Sequence, residues 1–191
     1  MELSAQSIKS NLSKGFTLIE LLVVIGILGI LAAALVATID PFEQLKKADD
    51  SKIKNIAVEF QTANVRYYTT HGAFPWSDAN NLNNPNCTGN STWPIQLGAT
   101  GMVECIDNSS GSLTAEGELK KAFASNLTDL NKVYVTWSST DTTNLIVCFS
   151  PTSKSQKAAP ETKYNNDGTD APAGTCPDSS APDGTCFWCT R

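Results

Sequence analysis

The chain of 191 residues has one histidine, His71, and no glycine-rich phosphate loop, nucleophile triad or histidine cluster. Those absences remove the commonest catalytic and phosphate-binding arrangements. Basic residues are outnumbered, the formal net charge is -5, and the charges are scattered. Sequence-specific nucleic-acid binding, which needs a basic face, has no support here. No proline precedes Pro41 and no cysteine precedes Cys87. Between Phe16 and Ile39 charge itself runs out, with Glu20 as the single exception.

That charge-poor stretch is rich in Leu, Ile, Val and Ala and runs for 24 residues. A helix needs about 20 apolar residues to cross the hydrocarbon core. A buried core helix is the competing reading, but soluble helices seldom stay apolar on every side for so long. A secretory signal has a shorter apolar run and a small-residue cleavage site. Lys9 and Lys14 precede the span and Asp40 and Glu43 follow it, which predicts a cytoplasmic leader and an outward head. Residues 1–15 read as leader, 16–39 as the spanning helix, 40–72 as a second helix and 73–191 as the head.

Lys14-Gly15-Phe16-Thr17-Leu18-Ile19-Glu20-Leu21-Leu22 resembles the class III signal of type IV pilins and of type II secretion pseudopilins. The resemblance covers about a quarter of the chain and does not extend to the head. It implies cleavage between Gly15 and Phe16 by a membrane prepilin peptidase and methylation of the new Phe16 amine. Cleavage changes the formal net charge from -5 to -6, because Glu2, Lys9 and Lys14 are lost. It also implies a role for Glu20: pairing with the N-terminal amine of a neighbouring copy and fixing axial register. Phe16 and Glu20 stand four residues apart, on one helix face. A carboxylate inside the span costs about 2.5–3.5 kcal/mol on insertion scales, so it needs a reason to be there. The plain alternative is a glutamate snorkelling to the membrane surface. Gly26 and Gly29 suit close helix approach in lipid, or are ordinary membrane-helix glycines.

Past the span, Asp40-Pro41 either kinks the helix or starts a new one, with Asp40 as cap and Pro41 at the first position. Leu45, Ala48, Ile53, Ile56, Phe60, Ala63 and Tyr67 then recur at helical spacing and predict one buried stripe. Lys46, Lys47, Asp50, Lys54 and Glu59 take the other faces. Gly72 is the predicted stop, with His71 as a helix-end cap. Residues 78–112 read as loop and 114–126 as a short helix presenting Leu119, Phe123 and Leu127. The β-branched runs at 132–137 and 144–150 read as a hairpin. The predicted fold class is α+β. A long N-terminal helix, membrane-spanning in its first half, packs on a small antiparallel sheet with disulfide-bonded loops.

Cys87, Cys105, Cys148, Cys176, Cys186 and Cys189 behind a membrane segment read as a disulfide framework. Six cysteines allow 15 pairings. Cys87 with Cys105, and Cys148 with the Cys176–Cys189 region, are the pairs suggested. Residues 153–191 hold little that can build a core. Cys186-Phe187-Trp188-Cys189 is a C-x-x-C, but only Thr190 and Arg191 follow, so no helix can lower a thiol pKa there. A zinc site from Cys176, Cys186 and Cys189 is a further alternative. Asn165, Asp167 and Asp170 alternate around Gly168 as calcium ligands do, and equally as a polar turn does. Asn86, Asn90, Asn108 and Asn126 begin N-x-[ST] patterns that mark a hydroxyl-rich surface.

The reading is thus a non-enzymatic filament subunit without a required cofactor. Its partners are copies of itself, the peptidase, the membrane, and an assembly platform driven by an ATPase. It sits in the membrane first and in an extracellular filament or cell-envelope pseudopilus afterwards. The alternatives are a pseudopilin of a secretion or DNA-uptake system, or a membrane-tethered binding module.

Overall fold

The computed structural model describes residues 15–38, 40–78, 87, 93–141 and 143–190. The leader through Lys14, residue Ile39, and Asn86 and Asn90 lie outside the described residues. The chain divides into two compact units, with the boundary between Pro41 and Phe42. The first unit contains α1, Leu18–Thr38. Its large apolar side chains, from Leu18 to Val36, are all at least 47% exposed. Leu18–Val36 is long and apolar enough to cross a membrane.

α2 spans Pro41–His71. Proline opens it because the first helical N–H needs no intrahelical acceptor. Gly72, at φ +74°, closes it, and its N–H bonds the Tyr68 carbonyl at 2.8 Å. His71 Nδ1 lies 3.1 Å from the Tyr67 carbonyl oxygen, and its ring stacks on Tyr67.

A four-stranded antiparallel meander follows in the order β1 (Ile95–Gln96), β2 (Val133–Trp137), β3 (Leu145–Phe149) and β4 (Trp188–Cys189). The central register pairs Val135 with Val147. Strand alternation then divides the side chains between two faces. Val133, Val135, Leu145, Val147 and Phe149 join the main core with Ile53, Phe60 and Tyr67 of α2. On the other face Cys148 packs with Phe187 and Cys189, flanked by Tyr134, Ile146 and Tyr164. The sheet is therefore covered twice, by α2 and by the C-terminal segment. Short helices α3 (Thr100–Ile106), α4 (Leu127–Leu130) and α5 (Lys154–Lys157) complete the unit.

Several sequence expectations change. The 78–112 stretch contains β1 and α3, whose Met102, Cys105 and Ile106 are fully buried. In place of one helix over 114–126 there are turns and a 3-10 segment, Lys121–Ser125. Leu119 is buried, but Leu127 is 49% exposed. Leu45 and Ala48 carry the right periodicity yet are exposed, because no head layer reaches them. The C-terminal segment, expected to contribute little core, buries Ala181, Cys186, Phe187 and Cys189. Gly168, at φ +81°, lets it approach: a Cβ there would stand 2.6 Å from Ile146 Cγ2.

Asp50 is the largest departure. Expected on a solvated face, it is 2% exposed. Its carboxylate accepts bonds from the N–H and hydroxyl of Thr152 (2.8 and 3.0 Å) and of Ser153 (2.8 and 2.6 Å). Four donors replace the water that burial removes, which is what makes a buried charge tolerable. The clamp holds α2 to the chain leaving β3. Lys52 pairs with Asp129, and Arg66 Nε pairs with Glu118 Oε2 at 2.7 Å, adding further ties from α2. Both ties involve half-exposed cations and weigh less.

Asp50→Ala strands four donors. Urea unfolding of the oxidised full chain in detergent should show a loss of about 3 kcal/mol. Asp50→Asn, which keeps one acceptor oxygen, should lose less.

Candidate processing and assembly site

Gly15, Phe16 and Thr17 lead into α1, and all are exposed. Thr17 is followed three residues later by Glu20, and the two form a reciprocal cap. Thr17 N–H and Oγ1–H donate to Glu20 Oε2 at 2.9 and 2.8 Å. Glu20 N–H donates to Thr17 Oγ1 at 3.3 Å. This is a capping box: it satisfies helix N-terminal donors that lipid cannot satisfy. Sequence reasoning found Glu20 by its isolation but missed Thr17, although S/T-x-x-E is a readable capping signature.

Phe16, Ile19, Glu20, Val23 and Val24 line one shallow groove, so Glu20 is the polar point on an apolar face. Among the described residues, and apart from the adjoining backbone, no atom lies within 4 Å of where a Cβ would stand on Gly15, Gly26 or Gly29. None of these three positions requires glycine for packing against its own chain.

The six cysteines form Cys87–Cys105, Cys148–Cys189 and Cys176–Cys186. The C-x-x-C is thus divided between two bridges, one to β3 and one within the C-terminal segment. Cys148 and Cys189 are register partners on adjacent strands, so this bridge fastens the edge of the sheet. Each bridge of this kind contributes about 2–4 kcal/mol.

Asn165–Asp170 closes as a tight polar turn. Asp167 Oδ1 accepts from the Thr169 hydroxyl (2.6 Å) and N–H (2.9 Å), and Asn165 Nδ2 donates to Thr169 Oγ1 at 2.9 Å. Asp170 pairs with Tyr164 as a bridge residue. Among the described residues no three His, Cys, Asp or Glu side chains are grouped as metal ligands. The Thr169 hydroxyl bond above all holds the Asp167 carboxyl below the ordinary aspartate range; burial opposes it, and the Thr169 N–H bond adds to it.

A depressed folded-state pKa contributes stability above the unfolded value and loses it as pH falls through the folded one. The turn should therefore hold at neutral pH and weaken below about pH 4. Thr169→Ala should move the Asp167 midpoint back up toward the ordinary value, read from its carboxyl carbon resonance during an acid titration.

The prokaryotic N-terminal methylation motif matches residues 10–36. No curated protein and no solved structure matches the chain. The match takes in part of the leader, the Thr17–Glu20 cap and most of α1, and leaves the head outside it. The N-terminus of this chain thus matches a methylation motif that is the hallmark of type IV pilin and pseudopilin leaders.

Proposed function

We propose that the chain is a structural subunit of a type IV pilus-like filament, cut after Gly15, methylated at Phe16 and assembled through α1. The observation that carries this reading is the surface of α1. Its large apolar side chains are all at least 47% exposed, and a lone carboxylate stands one turn from the new N-terminus. In the precursor, lipid covers that surface. In a filament, neighbouring copies of α1 do.

Cleavage creates a positive amine at Phe16, next to the Thr17–Glu20 cap. Methylation keeps the amine charged. A neighbouring amine docked on Glu20 neutralises the carboxylate where the dielectric is lowest and sets the axial step between copies. Among the described residues a Cβ on Gly15 would meet nothing, so a reason for glycine there is sought in a partner. A peptidase that must close around the scissile bond supplies one. Gly26 and Gly29, also open, suit close approach by another helix. The peptidase, an assembly platform and its ATPase are the partners this role needs.

Glu20 has two jobs in this account, cap and counter-ion, and they are separable. Glutamine also serves in a capping box, but carries no charge. Glu20→Gln should leave insertion and cleavage intact and reduce filament yield by at least about tenfold, as Glu20→Ala also should, because both remove the charge pairing in low dielectric. Wild-type yield from Glu20→Gln, counted by electron microscopy of sheared filaments, would show that only the cap matters and would sink the pairing role.

A further inference from the structure

The core-facing side of α2 begins before the head does. Buried Ile53 and Phe60 define that side, and at 100° per residue Phe42, Leu45, Asp49 and also Lys46, expected on another face, continue it toward the N-terminus. Asp49 is tied to Lys132 of the head at 2.8 Å. Before it, Phe42 and Leu45 are 75% and 68% exposed, and Lys46 is exposed beside them.

We infer that this first part of α2, Pro41–Lys47, is a membrane-surface foot: Phe42 and Leu45 enter the acyl–headgroup boundary and Lys46 meets phospholipid phosphate. Three observations select lipid as the occupant. The membrane-spanning stretch ends at Val36, and the six peptide units from there to Phe42 reach at most about 20 Å even when fully extended. An aromatic and a leucine with a lysine one turn on make the apolar-body, charged-tip arrangement that suits an interface. The acidic neighbours do not crowd the phosphate site. Asp40 precedes the helix, where the dipole favours a carboxylate, and Glu43 accepts from the Ser155 N–H of α5 at 3.4 Å. The foot gives the precursor a second hold on the bilayer, which has to be released for the subunit to leave.

The inference rests on the membrane reading of α1, and the test separates the two. A benzophenone amino acid is placed singly at Phe42, Leu45, Val65 or Ile27 of the full-length chain in nanodiscs of equal parts phosphatidylcholine and phosphatidylglycerol. After illumination, intact mass identifies each adduct. Val65 lies on the opposite, exposed side of α2 and serves as the reference. Ile27 reports the span itself.

The foot predicts lipid adducts at Phe42 and Leu45, several-fold above Val65, and a drop at both when Lys46→Glu is added. Lipid adducts at Ile27 with only chain-to-chain adducts at Phe42 and Leu45 would overturn the foot in favour of a second copy as occupant. Lipid at Ile27 with no adduct at Phe42 and Leu45 would also overturn it. No lipid adduct at Ile27 would remove the membrane span, and the foot with it.

Discussion

An apolar helix whose large side chains are all exposed is the constraint on which the rest depends. α1 exposes nearly half or more of every large side chain from Leu18 to Val36, an arrangement that water does not tolerate. A bilayer and a bundle of like helices can both cover it. Once that is granted, polar groups in the segment become expensive and informative. The backbone donors at the start of α1 are met by the Thr17–Glu20 cap. The cap brings a carboxylate into the segment, and in the proposed filament an amine produced by cleavage would give that carboxylate a partner.

The second unit has its own core. Its sheet is closed on one face by α2 and on the other by a C-terminal segment of few apolar residues. That segment depends on fastening: two of the three disulfides lie in it or reach it. Lys157 adds a buried tie, donating to the Ala181 carbonyl at 2.9 Å and pairing with Asp183. On the helix side, Asp50 does comparable work through four hydrogen bonds. A head held by covalent and charge-assisted ties tolerates a polar, loop-rich surface and few core residues.

The parts legible in the sequence were those set by local pattern. The span showed as length and apolarity, β2 and β3 as β-branched runs, and the end of α2 as Gly72. What was not legible depended on residues far apart. Asp50 looks like any solvated carboxylate on a helix, and its donors Thr152 and Ser153 lie about a hundred residues later. Leu45 has core periodicity, but periodicity marks an apolar side and not where the covering layer stops. Phe187 reads as one aromatic in a turn-rich tail until β4 pairs with β3 and turns it onto the second face of the sheet. The Thr17 cap was local and readable, yet the isolation of Glu20 drew the reading toward partners outside the chain.

The intact mass of the protein taken from its native membrane, without reduction, tests the account most directly. The account predicts a chain that begins at Phe16, carries one or two added methyl groups and lacks two hydrogens for each of three disulfides. A chain still carrying residues 1–15 and no methyl group would contradict it, and α1 would then be the anchor of a tethered module and not the core of a filament.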